Sequence, residues 1–570
     1  MFSLITEPWI RGEDSQGETV NVSLKDVFDG TAGLVRLQGD SPVQDYSVLR
    51  VLLAIFWRAH VPESQVNPGE TFQFSRWFET TWNKLEQVKS DRVSVEYLEK
   101  YSDRFNLLDT EAPFMQVADL HTKDGTHRKI SQLIPEINSN YFTMRAGQGA
   151  GSVSFAEAAR WLINLHAFDF SGIKTGVEGD SREKGGKSYP IGQGWSGLTG
   201  GTVIQGDSIL QTLLLNTVAE AISNANDRPV WERLPDGPDV RSKNPLINGI
   251  ESASSQPQGP ADLATWQTRR VRLINDGHKV TGVLITNGDR IPDAGANVLG
   301  DPMTPYRFSS NKSKKDLDVY YPRPYDPQRT MWRSLDALIV SETDAGFSTK
   351  EKAPKRPGIL TSIAEVSNDF EDIPDVLNLQ LVSVEYGPQA SSVASTISAE
   401  VGVPTAILLE NQVDVRDAVR SAASSTGDAA IALGQFAGNL STAAGGEYSF
   451  QAQHTDGLLA ELEPGFLDWL RALPVTSDMN PDELESQIAK WEQTVRSATE
   501  DHAQILLKGA GPKAFIGRQV FQNADDTKGR LVSAGSVFNQ LKSKLDQILP
   551  ATQRKKTERQ SATSKEKVGQ

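Results

Sequence analysis

Between Gly176 and Gly201 the chain reads "GVEGDSREKGGKSYPIGQGWSGLTGG", and two chemistries compete for it. Gly186, Lys187 and Ser188 match the end of a phosphate-binding loop, in which backbone amides curl around a β-phosphate before a helix begins. The match is incomplete. Ser181 stands where the loop's first glycine belongs, the preceding "FAEAARWLINLHAFDF" has helical rather than strand periodicity, and the following "YPIGQG" opposes the required helix. The other use of glycine is steric: backbone without a side chain can lie directly against a ligand surface. "PIGQGWSGLTGGT" is spaced for that, and a duplex minor groove admits a thin polar backbone segment. A mobile surface loop accounts for the same glycines without any function.

Nothing else in the chain spells out catalysis. The seven histidines are scattered, with no His-Glu-x-x-His pair, and no serine sits in a nucleophile elbow. His121 and His127, in a polar loop, read either as surface residues or as a metal pair. With no cysteine, a disulfide framework, a cysteine nucleophile and a thiolate zinc site are excluded.

The elements that must position these residues fall into two styles. "VNVSLKDVF" reads as a strand entering a helix capped by Ser23, with Asp26 completing a capping box. "VQDYSVLRVLLAIFWRAH" and "FAEAARWLINLHAF" are helices with broad apolar faces. From Thr202 to Tyr386, alternating runs such as "VTGVLIT" and "VLNLQLVSVEY" predict strands between loops rich in proline and glycine. After about Ser395 the chain turns to alanine, leucine, glutamate and glutamine, which favour helices. In "NPDELESQIAKWEQTVRSATEDHAQILLKG", Asn480 caps, Pro481 takes the first turn, Glu483 completes the box, and Leu484, Ile488, Trp491 and Val495 form one stripe. About four such amphipathic helices suffice to close a bundle. The expected fold is therefore α+β: a mixed α/β N-terminal domain over 1–395, a C-terminal four-helix bundle over 396–551, and a disordered basic tail over 552–570.

With 570 residues, 38% hydrophobic and 23% charged, the chain can bury more than one core. Its N-terminus, "MFSLITEPWI", resembles neither a signal peptide nor a membrane anchor, so no membrane partner and a cytoplasmic location are expected. A formal net charge of −15 argues against indiscriminate binding to polyanions, so any nucleic-acid contact must be local or shared with a basic partner.

"FSLITEPWI", "FNLLDTEAPFMQV", "FTMRAGQGAGSVSFAEAARWLIN" and "GQGWSGLTGGT" followed by "LLLN" occur in an order that resembles the CasA family, the large subunits of the type I-E CRISPR surveillance complex Cascade. The resemblance runs over most of the chain and implies a non-catalytic subunit that recognises the protospacer-adjacent motif of double-stranded target DNA through the minor groove. It also implies initiation of strand separation (R-loop formation), a hold on the displaced strand, and recruitment of the helicase-nuclease effector. The implied partners are the 5′ end of the guide RNA (crRNA), target DNA, and the backbone, small and 5′-handle-capping Cascade subunits.

Residue by residue, the resemblance implies a minor-groove loop at Gly192, Gln193 and Gly194, with a supporting lysine best matched by Lys279. It implies a strand-separating wedge at Gln389 and Ala390 in "YGPQASS", where Gly387 and Pro388 independently favour a turn, whether or not that turn is functional. A loop to the guide RNA and a neighbouring subunit would use Phe142, Arg145 and Gln148; without the resemblance the same residues read equally well as a helix-capping loop. Candidate backbone contacts are Arg269, Arg270, Arg272, Lys312, Lys314 and Lys315, then Arg416, Arg420, Lys508, Lys513, Lys542 and Lys544 in the bundle. Members of the family often carry cysteines in the region of Lys279; this chain has none, so neither a metal nor another cofactor is expected. Two alternatives stand beside this reading: a nucleotide hydrolase using Lys187 and Ser188, and a purely structural scaffold whose bundle binds partner proteins.

Overall fold

The computed structural model describes residues 1–65, 71–134, 151–241, 256–325, 330–344, 347, 352–475, 481–521 and 529–552. Two compact units emerge, Met1–Pro327 with Val340–Val401, and Gln328–Ile339 with Gly402–Gln570. The sequence suggests a division at 395; the units change at 401, inside the strand Val393–Pro404.

In the first unit, helix Pro42–Ser64 is the core element. Its N-cap Ser41 accepts from the Gln44 N–H, and its apolar residues are buried nearly all round, as expected of a helix with neighbours on every side. Helix Phe155–Phe168, capped by Ser154, packs against it. The capping box predicted at Ser23 and Asp26 forms as expected, the serine hydroxyl taking the Asp26 N–H and the carboxylate taking the Ser23 N–H.

Three of the small sheets of this unit have three strands each. One places Ile10–Asp14 between Thr19–Val22 and Leu34–Leu37. A second runs Arg128–Lys129, Val280–Asn287, Arg269–Asn275, with Arg269 opposite Asn287. The third runs Val393–Pro404, Val376–Tyr386, Gly201–Gln205, with Gly201 opposite Val382. The strand that emerges from the glycine-rich stretch is thus paired with the strand leading to "YGPQASS".

Among its described residues the second unit is helical apart from the end of the strand Val393–Pro404 and the short hairpin Arg518–Val520 and Arg530–Val532. Helix Val413–Ala443 contacts helices Ala452–Arg471, Pro481–Gly509 and Ala534–Ile548. Along Pro481–Gly509, Trp491 and Val495 are buried while Leu484 and Ile488 are half-exposed, so the predicted stripe enters the core only from its middle. Trp491 Nε1 donates to Thr426 Oγ1 at 3.0 Å, which satisfies the one polar atom its burial would otherwise strand. Asn480 and the tail from 553 lie outside the described residues, whereas Thr552 is buried and accepts from Arg496. Among the described residues no helix is long and apolar enough to cross a membrane.

Candidate nucleic-acid interface

The near-miss phosphate loop forms a tight turn. Lys187–Ser188 is a strand paired with Lys174–Thr175, Gly185 and Gly186 have φ of +62° and +74°, and the Gly186 N–H donates to Glu183. A strand follows where a phosphate site needs a helix N-terminus, so the convergent amides of such a site are not built here.

The second glycine group is assembled differently. Helix Phe155–Phe168 ends at Asp169, and the Gly194 N–H donates to the Asp169 carbonyl at 3.2 Å. A Cβ at Gly194 would overlap the carbonyl oxygens of His166 and Ala167, so glycine lets this backbone lie on the helix end. Gly192 is glycine for a conformational reason: its φ is +104° and nothing lies within 4 Å of where a Cβ would be. Gln193 between them is half-buried, while Gly197, Gly200 and Gly201 of the same motif are packed inside or partly inside the unit.

Arg269 holds this loop from beneath. Fully buried, it donates from Nε to the Asp169 carboxylate and from Nη2 to the carbonyls of Phe170 at 2.8 Å and Gly192 at 2.9 Å. Lys174 Nζ lies 2.6 Å from the same carboxylate. Burial alone would raise the Asp169 pKa, but Arg269 and then Lys174 bring it below the usual carboxylate range.

The turn after Val376–Tyr386 is anchored to the same place. Tyr386 donates its hydroxyl to the Phe168 carbonyl at 2.7 Å, and the Ser171 N–H donates to the Ala390 carbonyl at 2.8 Å. Gln389 and Ala390 have φ of +59° and +52°, a left-handed pair without glycine that costs about 1–2 kcal/mol per residue. The Gln389 side chain is exposed. The segment Asp169–Ser171 therefore carries the glycine loop on one bond and the tip on another.

The family model for CRISPR-associated protein Cse1 matches residues 3–502. The chain belongs to the Cse1 family. It is 27% identical over 374 residues to a CRISPR-associated protein CasA/Cse1 of Thermus thermophilus, over 63% of this chain and 64% of that one, which is less than two thirds of the relative's length. The crystal structure of Thermobifida fusca Cse1 superposes with a TM-score of 0.81 at 32% identity, covering 96% of this chain and 98% of that one. A chain of a CRISPR RNA-guided surveillance complex shares the fold, with a TM-score of 0.59 at 18% identity, over 89% of this chain and 99% of that one.

Within this Cse1 fold the sequence-selected cations separate. Arg269 and Arg270 are fully buried, which corrects their reading as backbone contacts. Arg270 is bound to the Asp289 carboxylate at 3.1 Å and to the carbonyls of Gly237 and Asp239. Arg272 is half-buried and donates to the Leu120 carbonyl at 3.2 Å. Arg416 is likewise buried, donating to the carbonyls of Ile407, Leu409 and Glu410, and Arg420 pairs with Asp336 and Asp417, so neither offers a free charge to a phosphate. Lys542 is half-buried over the Phe538 ring and Lys544 donates to Gln435. Lys312, Lys314, Lys315, Lys508 and Lys513 are exposed.

Lys279 is exposed, on the turn joining Arg269–Asn275 to Val280–Asn287. At roughly 3.4 Å per strand residue, this end lies about 20 Å along the sheet from Arg269 and the glycine loop. There Val280 pairs with Val153, just after the segment of Phe142, Arg145 and Gln148, three residues that lie outside the described ones. The cation missed from sequence is Arg290. It is exposed and lines a recess of about 260 Å³ together with Gly192, Gln193 and Ile291. The "NDGHK" turn signal held the clue: folding the hairpin there sends Lys279 away and returns the residues after Asn287 to the loop. Among the described residues no group of three or more His, Asp and Glu could hold a metal ion.

Proposed function

We propose that this chain is the large subunit of a type I-E Cascade complex, and that Gly192, Gln193, Gly194, Arg290 and Gln389 together read the motif flanking a target in duplex DNA and begin its separation. One observation carries the reading: the buried Gly194 that seats the glycine loop, next but one to the open Gly192, and the turn bearing the exposed Gln389 are hydrogen-bonded to the same short segment, Asp169–Ser171. A groove-entering backbone needs a neighbour that can replace base stacking, since parting a step costs a few kcal/mol. Arg290 lies beside the glycine loop and supplies a cation there for phosphate contact, whereas the groove-facing lysine that the resemblance implies is matched to Lys279.

Family membership supports the remaining parts of the reading. The subunit is non-catalytic and cytoplasmic, and Phe142, Arg145 and Gln148 meet the guide RNA's 5′ end and a neighbouring subunit. The second unit is a four-helix bundle, supported by the pairing of its long helices, that offers Lys508 and Lys513 to the displaced strand. The complex recruits a helicase-nuclease. The net charge of −15 suits a subunit that touches DNA at one narrow place and leaves guide and heteroduplex to basic partners.

The test is binding of a guide-matched duplex by the reconstituted complex, with this chain present or omitted, on targets with or without the flanking motif. Loss of motif-dependent binding on omission supports the reading. Unchanged binding overturns it and returns attention to a scaffold role.

A further inference from the structure

The reading loop and the tip meet at Asp169–Ser171, and the group that fixes this segment is a buried side chain with no access to DNA. Arg269 spans it in one plane: Nε on the Asp169 carboxylate, Nη2 on the Phe170 and Gly192 carbonyls, and Nη1 on Thr268. At the end of the same segment, the Ser171 N–H donates to the Ala390 carbonyl. Pushing Gly192–Gly194 outward must therefore stretch bonds to Arg269 or Asp169, or carry Phe170 and Ser171 along. The tip has few ways to ignore that motion, because two consecutive non-glycine residues hold a left-handed conformation that only surrounding bonds keep in place.

We propose that Arg269 is a positioning residue that couples motif reading to strand separation: insertion of the glycine loop into a matching groove is passed through Asp169–Ser171 to Ala390 and sets Gln389 against the first base pair. The proposal rests on the function proposed above for this surface. Arginine is required rather than any cation, because its planar fork holds a carboxylate and the carbonyls of Thr268, Phe170 and Gly192 at once, whereas a lysine ammonium keeps the charge and loses that geometry.

The experiment uses the assembled complex and separates two readouts: the ratio of affinities for targets with and without the motif, and the opening rate of the first base pairs, followed by a fluorescent base analogue at saturating complex. Arg269→Lys is expected to reduce both, each by about tenfold, within the usual range of coupling between sites. Ser171→Pro removes the N–H to Ala390, at the cost of fixing φ at 171 and favouring extended backbone at Phe170, and it should keep the affinity ratio while slowing opening about tenfold. A target with its first base pairs already mismatched should restore Ser171→Pro fully and Arg269→Lys only in part. If Arg269→Lys lowers the affinity ratio and leaves saturated opening at the wild-type rate, the coupling is wrong. If Arg269→Lys does not assemble, Ser171→Pro decides, and normal opening in that variant overturns the proposal. A wild-type complex indifferent to the motif would instead remove the function on which the coupling rests.

Discussion

Two glycine turns lie within a few residues of each other, one at Gly185–Gly186 and one at Gly192–Gly194, and both use positive φ. The first closes a short hairpin whose turn is held by Glu183 and whose strand is tied by the Asn287 side-chain amide to the Ser188 and Tyr189 carbonyls. The second is fastened to a helix end, a buried arginine and, through Asp169–Ser171, a second hairpin. Both turns are rich in glycine, the first among Glu183, Lys184 and Lys187 and the second between Ile191 and Trp195. What separates the second turn from the first is that its distant bonds join it to another exposed tip.

The largest effect that would test this contrast is expected from Gly194→Ala. Its Cβ meets helix carbonyls that cannot yield, so the variant should lose about 1–3 kcal/mol in a denaturant melt together with motif-dependent binding. Normal stability would mean that the loop is not seated on the helix end. Next, Gln389→Ala should slow base-pair opening about tenfold, the equivalent of roughly 1.4 kcal/mol, without moving the melt or the affinity ratio. A change in that ratio would make Gln389 a reader rather than a wedge.

Acid should act on the second turn through Asp169. Its folded pKa is depressed, so the stability it contributes is present above the ordinary carboxylate range and is lost only as pH falls through the lower folded value. Asp169→Asn should remove that late acid transition; persistence of the transition would assign it to another carboxylate. A smaller effect is expected from Arg290→Ala, which should weaken binding to targets with and without the motif alike and reduce the salt slope by about one. Lys187→Ala should change neither DNA binding nor any nucleotide turnover. A turnover lost in that variant would give the first turn a chemistry that its geometry does not provide.

Much of the frame could be read from local pattern. The Ser23 box, the helix periodicities and the Gly387–Pro388 turn need only neighbours in sequence, and all form as the residues dictate. The cation assignments needed partners far along the chain. Arg269 finds Asp169 one hundred residues upstream, and a basic cluster looks the same on paper whether its carboxylates are near or absent. Arg416 misleads for another reason, because its partners are carbonyls of a loop, which no side-chain pattern announces. Arg290 became visible only once the hairpin register returned the chain to the loop.

The bonds that Arg269, Asp169 and Ser171 make to the reading loop and the tip all end on main-chain atoms of the loop or the tip: the Gly192 carbonyl, the Gly194 amide, the Ala390 carbonyl. The side chains at Gln193, Arg290 and Gln389 take no part in that mounting. They can be exchanged without rebuilding what carries them, so a lineage facing a different flanking motif could change its preference by swapping the fittings and leaving the bracket as it is.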